Sequence, residues 1–241
     1  MKKIFQGFAL AFSMLSILPF FKVHDFFKGI NGYAAMSYPL VGFILGALLY
    51  GIYLLLVPFF PHFHLAVIIF SLWVLLTGAL HLDGLSDTVD GLFVPKERAL
   101  EVMKDPHNGG MGMIFSALFL LVKASSVVAL DAVYLIPMIM MLSRLSIVFA
   151  IYNYPYISPN GMSTLIKEEL TKTEVIAAFG YVCVVVFFFH AWLLLLAAFG
   201  SLFVIKRFFL KRYGGFSGDI YGFSIEVIEL ILLNCAIVGV V

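Results

Sequence analysis

Long apolar stretches, separated by polar breaks, follow one another along almost the whole chain. Several approach 20 residues, the length with which a helix spans the hydrocarbon core of a bilayer. The stretches cover roughly residues 4–21, 36–58, 63–80, 112–130, 132–153, 174–190, 192–209 and 219–241. The turn between the sixth and seventh stretches is predicted near His190-Ala191 or at Gly200-Ser201. The pattern predicts an all-α, polytopic membrane bundle of six to eight segments, forming one domain over residues 1–241.

Composition supports a membrane protein and excludes some partners. Of the 241 residues, 63% are hydrophobic and 12% are charged, whereas soluble domains carry about 25% charged residues. A net charge of +1 gives no sign of nucleic-acid binding. The two cysteines, Cys183 and Cys235, lie in apolar stretches and are expected to pack rather than to pair. The lipid bilayer is the predicted partner, and the sequence leaves a homo-oligomer open.

Positive charge is concentrated in the longer polar breaks. Of 15 Lys and Arg residues, only Lys123 and Arg144 lie deep inside an apolar stretch. The positive-inside rule therefore predicts that the long breaks face the cytoplasm, with the chain in the cell inner membrane. The first stretch has lysines at both ends and Pro19 near its end, so we expect it to lie in the interface or to enter and return.

An acidic segment directly follows the third apolar stretch. Asp83, Asp87 and Asp90 are spaced i, i+4 and i+7, which places all three carboxylates on one face of a helix. Carboxylates so close to one another repel unless a divalent cation neutralises them. Oxygen ligands without cysteine favour Mg²⁺ or Mn²⁺ over Zn²⁺. The spacing predicts a metal site, although a solvated loop with clustered acids is the simpler alternative.

Such a metal ion has a chemical consequence. Mg²⁺ held by carboxylates usually also binds substrate phosphates and stabilises the charge of a phosphoryl group in transfer. The sequence therefore indicates a Mg²⁺-dependent membrane enzyme of phosphoryl transfer.

Two glycine-rich turns precede membrane helices. Gly109, Gly110 and Gly112 follow Lys104, and such a turn favours an anion at the helix start. Lys104 is either part of a phosphate site or a solvated charge. Near the C-terminus, Ser217 or Asp219 is predicted to cap the last helix.

The last apolar stretch contains two further acids. Glu226 and Glu229 share a helical face with Asp219. Ionisable groups inside membrane helices are costly and usually functional. The alternative is that the glutamates pair with Lys123 or Arg144.

The segment His81-Leu82-Asp83-Gly84-Leu85-Ser86-Asp87-Thr88-Val89-Asp90-Gly91 resembles the signature of the cobalamin synthase family, also called adenosylcobinamide-GDP ribazoletransferase. Further blocks of this chain are similar to the family in order and spacing: 38–42, 98–112, 143–144 and 214–229. The chain departs from the family at Ser16-Ile17 and Pro106-His107, where the family often has an arginine, and at Ser217, where it has threonine. These departures concern substrate binding more than the reaction.

The resemblance implies that adenosylcobinamide-GDP is joined to α-ribazole or its 5′-phosphate, with release of GMP and with Mg²⁺ as cofactor. It implies metal binding by Asp83, Asp87, Asp90 and Asp219. Substrate contacts are expected from Lys104, Gly109, Arg144, Gly215 and Ser217, with Lys104 and Arg144 balancing phosphate charge. His81 and Asp105 are the candidates for the general base.

Two other functions remain open. A CDP-alcohol phosphotransferase would need an Asp-Gly-x-x-Ala-Arg stretch, and Asp83-Gly84 is instead followed by Leu85-Ser86-Asp87. An ion-coupled transporter would show paired broken helices and inverted repeats, and no repeat stands out in the sequence.

Overall fold

A computed structural model describes residues 2–18, 27–105, 107, 109–158, 161 and 163–239 of the chain. The described residues form helices and no β-strand, which confirms the all-α prediction. A 3₁₀ turn, Val133–Leu135, precedes α7. The α-helices are α1 Lys2–Leu15, α2 Ile30–Leu56, α3 His62–Leu76, α4 Leu80–Leu92, α5 Lys96–Val102, α6 Gly110–Ala129, α7 Ile136–Asn153, α8 Ser163–Glu169, α9 Lys172–Phe189, α10 Trp192–Tyr213 and α11 Gly218–Ile237.

Six helices in the described ranges are long and apolar enough to cross a membrane, namely α2, α6, α7 with its 3₁₀ turn, α9, α10 and α11. The pair α3 and α4 makes a seventh candidate, broken by a bend of 81°. The predicted six to eight segments are therefore confirmed. α7 lies at the centre of the bundle, because 89% of its span is buried by the other helices.

Short turns make consecutive spans antiparallel. α9 ends at His190, whose φ of 55° lies in the left-handed region, and α10 begins at Trp192. The turn is thus at His190-Ala191, whereas Gly200 lies inside α10. By this alternation, the starts of α2, α6, α9 and α11 and the ends of α7 and α10 share one side of the bundle. We call this side the loop side, because the long polar breaks are there.

α1 lies against the loop-side part of the bundle. With 14 residues it is shorter than a span. Gly7 packs directly on the backbone of Tyr33 at the start of α2. Beyond the helix, the amide of Ile17 donates to the carbonyl of Leu76 over 3.0 Å. The placement agrees with the expected non-spanning first segment, while Pro19 lies outside the described residues.

Candidate active site

A cavity of about 710 Å³ opens between α4, α7, α11 and the chain segment 156–166. Its outer part, which we call the rim, contains Asp83, Lys104 and Asp219. Isoleucines 147, 151 and 225 line its walls, and Arg144 lies at its inner end. The volume is in the range of pockets that bury a drug-sized ligand, which is about 300–1,000 Å³.

Two glycines bring the acids of α4 and α11 together. A Cβ atom on Gly84 would lie 2.9 Å from the carbonyl oxygen of Asp219, and one on Gly222 would lie 3.1 Å from that of His81. Any larger residue at either position would force the helices apart. The close crossing places Asp83 and Asp87 beside Asp219, although the two segments are more than 120 residues apart in the chain.

Asp87 experiences the repulsion that the sequence predicts. Partial burial and the neighbouring carboxylates of Asp83, Asp219 and Asp90 raise the pKa of Asp87 to about 7. Among the described residues, Asp83, Asp87 and Asp219 form no ion pair with a Lys or Arg. A cation in this position would relieve the repulsion and favour the charged form of Asp87.

Asp90, the third acid of the stripe, makes a different contact. Its carboxylate accepts hydrogen bonds from the amides of Gly109 (2.8 Å) and Gly112 (2.7 Å) at the start of α6. The side chain is buried, and a Cβ on either glycine would overlap it. The glycine turn therefore binds an anion, as predicted, but the anion is the carboxylate of Asp90. The amides of Gly109 and Gly112 are thereby already used within the protein.

The chemistry of the remaining acids fits a hard divalent cation that also binds substrate. In the described ranges, no three His, Cys, Asp or Glu side chains converge as ligands of one ion. Mg²⁺ commonly binds through one or two carboxylates and completes its shell with substrate phosphates and water. Asp83 and Asp219 line the cavity together, and Asp87 lies beside both. The assignment of Asp83, Asp87, Asp90 and Asp219 as metal ligands stays a prediction.

The two candidate bases differ in their surroundings. Asp105 is exposed, and its carboxylate accepts from the amide of His107 (2.9 Å) and contacts the His107 Nδ1 (2.8 Å). These contacts lower the pKa of Asp105, and the residue does not line the cavity. His81 does line it, is 4% exposed, and has an Nδ1 without a partner in the described structure. Of the two, only His81 is placed to reach a bound ligand.

A second group of charged residues lies buried between α6, α7 and α11; we call it the buried quartet. The Lys123 Nζ donates to Glu226 (2.6 Å) and to Glu229 (2.5 Å). Arg144 donates to the second oxygen of Glu229. The exposed fraction is 2% for Lys123, 1% for Arg144 and 0% for Glu229. The pairing confirms the alternative by which the two glutamates neutralise the two buried cations.

Arg144 belongs to both the buried quartet and the cavity. Its Nη1 donates to Glu229, to the Met140 carbonyl (3.2 Å) and to the Ser143 hydroxyl (2.9 Å). Its Nη2 has no partner within the described structure. Gly42 makes room for the side chain, since a Cβ there would lie 2.9 Å from the Arg144 Cδ. Arg144 therefore presents one free edge to the cavity.

The C-terminal glycine turn has a mainly structural arrangement. The Ser217 hydroxyl accepts from the Ile220 amide (3.2 Å), so Ser217 caps α11 as one of the two predicted residues. Gly215 lies against the carbonyl of Pro155, where a side chain would clash. Phe216 and the segment 155–157 exchange backbone hydrogen bonds of 2.8 and 2.9 Å. Neither Gly215 nor Ser217 lines the cavity, and their predicted substrate contacts stay untested.

Sequence reasoning missed the part of the cavity wall that comes from the loop after α7. Tyr156, Ser158, Gly161 and Ser163 line the cavity. Tyr221 of α11 was missed as well, although its ring stacks on Tyr156 with centroids 6.1 Å apart. These residues are uncharged, so the pattern of acids and bases gave no signal for them. The run of small and aromatic residues between two apolar stretches was the only available hint.

Comparison with known proteins gives a consistent result along the chain. Residues 7–237 match the model of a family described as cobalamin-5-phosphate synthase. An adenosylcobinamide-GDP ribazoletransferase of Acinetobacter baumannii is 35% identical over 219 residues, covering 87% of each chain. Proteins of the same name from Pseudomonas savastanoi (33%, covering 84% of this chain and 86% of the relative) and Thermosynechococcus vestitus (35%, covering 86% of each) are similar. No solved structure matches.

Proposed function

Because the chain belongs to the cobalamin-5-phosphate synthase family, we propose that it joins adenosylcobinamide-GDP to ribazole or ribazole 5′-phosphate. GMP leaves, and the new phosphodiester bond yields adenosylcobalamin or adenosylcobalamin 5′-phosphate. The observation that carries this proposal is the unpaired acidic rim, Asp83 and Asp219 with Asp87 beside them, at the mouth of a cavity of nucleotide size. Acids without cation partners at such a cavity suit a diphosphate substrate that arrives with its own metal ion.

One or two carboxylates of the group Asp83, Asp87 and Asp219 would hold Mg²⁺ against the diphosphate. When bound, the ion would supply positive charge that neutralises the phosphate oxygens. Asp90 contributes by another route, since its bonds to Gly109 and Gly112 fix the start of α6 beside α4. Lys104 lies on the rim and is free of ion pairs in the described structure, so it is the cation best placed for a phosphate oxygen.

A side chain of this protein can also accept the proton that the reaction releases. A ribose hydroxyl of ribazole attacks the phosphorus nearer the corrinoid, and its proton must leave as the new P–O bond forms. The partner-free Nδ1 of His81 can accept that proton, whereas Asp105 is exposed and already bound by His107. The attacked phosphorus loses its bond to the oxygen that bridges the two phosphorus atoms. That oxygen leaves as part of GMP.

The loop side, and with it the cavity mouth, faces the cytoplasm in this proposal, with the chain in the inner membrane. The support is the distribution of charge: apart from the buried Lys123 and Arg144, the Lys and Arg residues fall at the N-terminus, in the loop-side breaks or in the adjoining helix ends. The far-side turns 57–61, 130–132 and 190–191 contain none.

A labelling experiment tests the orientation. A cysteine introduced in place of His64, on the far side, should react with a membrane-impermeant maleimide in intact spheroplasts. A cysteine at Lys96, on the loop side, should react only after the membrane is opened. The reverse pattern would place the cavity mouth outside the cytoplasm. The wild-type chain, whose Cys183 and Cys235 lie within helices, provides the background.

The activity is tested with the full-length protein reconstituted in liposomes with adenosylcobinamide-GDP, ribazole and Mg²⁺. GMP and the corrinoid product, both measured by chromatography, should form in equal amounts, and omission of ribazole should abolish both. Absence of GMP would contradict the proposal. GMP without the corrinoid product would indicate a hydrolase instead.

A further inference from the structure

Apolar side chains form much of the cavity wall behind the rim. Five helices, α1, α4, α7, α8 and α11, contribute to this wall, with the side chains of Leu15, Leu80, Ile147, Ile151, Ile166 and Ile225. A polar group enclosed by such a wall would lose its hydration without gaining hydrogen-bond partners. The part of a ligand that fills the cavity is therefore expected to be mainly apolar.

Three polar residues mark successive depths of the cavity. Asp219 lies at the rim, in the first turn of α11. The backbone of His81 packs three residues deeper, since a Cβ on Gly222 would lie 3.1 Å from the His81 carbonyl oxygen. Arg144 donates to Glu229, ten residues after Asp219, which corresponds to roughly 15 Å along the helix. His81 thus lies between the rim and the inner end, and the charges of Arg144 and Glu229 act on its ring.

This order limits which substrate can occupy the cavity. In the proposed reaction the diphosphate lies with the rim acids, and the attacking ribose hydroxyl lies next to it, where His81 accepts the proton. The base attached to that ribose must then extend past His81 towards Arg144. A guanosine in the same space would occupy the place that the attacking hydroxyl needs. The order of the polar residues therefore favours ribazole as the occupant.

Arg144 offers one hydrogen-bond donor at the inner end. Its Nη2 has no partner in the described structure, although the residue is only 1% exposed, and buried polar atoms are rarely left unpaired. Glu229 binds the Nη1, and the buried quartet contains two cations and two anions. The free edge therefore suits a neutral acceptor better than a phosphate. The benzimidazole ring of ribazole has one such acceptor, the ring nitrogen that is not bonded to ribose.

We propose that the cavity binds the base of ribazole, with its two methyl groups against the apolar wall and its free ring nitrogen accepting a hydrogen bond from the Arg144 Nη2. The inference rests on the proposed function and separates the two substrates: ribazole lies behind the rim, and the guanosine and the corrinoid lie outside it. Guanine carries O6, N7 and an N2 amino group, and an apolar wall with one free donor cannot pair all three.

Filling the cavity tests the location. Ile225→Phe adds a ring to a cavity-lining position that is 4% exposed, so the ring and the base compete for space. Ile176→Phe is the matched control, because Ile176 is 59% exposed on α9 and does not line the cavity as described. Calorimetry on the full-length proteins in nanodiscs should show ribazole binding weakened about tenfold or more by Ile225→Phe and unchanged by Ile176→Phe. GMP with Mg²⁺ should bind all three proteins alike.

Analogues of the ligand test the two kinds of contact. Benzimidazole riboside, which lacks both methyl groups, should bind the wild type about tenfold more weakly than ribazole. The riboside of 5,6-dimethylindole, in which a CH group replaces the free ring nitrogen, should also bind roughly tenfold or more weakly. Arg144→Lys keeps a positive charge for Glu229 but has no Nη2, so it should bind ribazole and the indole analogue alike.

Ribazole binding that Ile225→Phe leaves unchanged would overturn the inference, as would equal binding of ribazole and the indole analogue by the wild type. Displacement of ribazole by GMP, with GMP binding weakened by Ile225→Phe, would place guanine in the cavity instead. Turnover of the wild type on the same nanodiscs separates the two hypotheses. If GMP is released in any of these cases, only the location of ribazole fails, whereas absence of GMP contradicts the proposed function itself.

Discussion

Two groups of acids, both drawing on α11, differ in how the protein treats their charge. The buried quartet pairs Glu226 and Glu229 with Lys123 and Arg144 until no net charge is left. At the rim, Asp219 joins the α4 acids with no cation bound to it in the described structure. Acids are neutralised deep in the bundle but remain unpaired at the cavity mouth, and this difference supports the proposal that the rim acids bind a ligand. The two groups of acids cannot be distinguished by residue type alone, but they differ in whether a Lys or Arg pairs with them.

The largest expected effect comes from breaking the buried quartet. Glu229→Ala leaves Lys123 and Arg144 short of a counter-charge inside the bundle, and removal of one partner of a buried ion pair costs about 3–5 kcal/mol. We expect a large fall in the thermal unfolding midpoint in detergent and poor recovery of folded protein. Asp83→Asn, at the rim, should leave the midpoint unchanged. Equal stability of both variants would remove the distinction between the two groups.

Neutralising a rim acid should have the opposite effect, so that activity falls while stability is unchanged. Asp87→Asn removes a carboxylate whose pKa is raised to about 7 by partial burial and by its acidic neighbours, so the fold loses repulsion rather than support. GMP release should fall by about 10²–10³-fold, the size of losing a main electrostatic stabiliser, while the protein folds as well as the wild type. Asp131→Asn, in a far-side turn, is the control and should keep full activity. Turnover of Asp87→Asn at the wild-type rate would exclude Asp87 from the site.

The crossing of α4 and α11 gives a geometric test of the rim. Gly84→Ala places a Cβ against the carbonyl oxygen and Cα of Asp219, at 2.9 and 3.2 Å, so Asp83 and Asp219 must separate. We expect activity to fall by about tenfold or more, since small displacements of catalytic groups are costly. Gly180→Ala, whose Cβ would meet nothing within 4 Å, should be silent. Full activity of Gly84→Ala would show that the spacing of the acids is unimportant.

Asp90 is expected to give the smallest effect, and one on stability. Asp90→Asn keeps an acceptor for one glycine amide but loses the negative charge at the start of α6. Such a loss costs roughly 0.5–2 kcal/mol. The unfolding midpoint should fall by a few degrees, and the concentration of Mg²⁺ needed for half-maximal GMP release should stay near the wild-type value. A large rise in that concentration would instead make Asp90 a metal ligand.

Much of the fold follows from the sequence, because membrane helices are defined by local apolar length. The predicted segments, the helical stripe of Asp83, Asp87 and Asp90, and the cap of α11 depend on residues close in the chain. It could not be predicted that Asp90 makes different contacts from Asp83 and Asp87 in that stripe. Asp90 is buried and has the amides of Gly109 and Gly112 within reach, whereas Asp83 lines the cavity, and this difference is a consequence of how α6 docks on α4. The same holds for Tyr221, whose place in the cavity wall depends on its contacts with Tyr156 and Phe216.

The most direct test of the central proposal, that the unpaired rim acids hold a metal ion with the diphosphate, is the Mg²⁺ dependence of GMP release by the wild type and by Asp219→Asn. We predict that the wild type requires Mg²⁺, with no turnover in excess EDTA. Asp219→Asn should require at least about tenfold more Mg²⁺ for half-maximal activity, with an unfolding midpoint equal to that of the wild type. Turnover without divalent ions, or the same Mg²⁺ dependence in both proteins, would contradict this account.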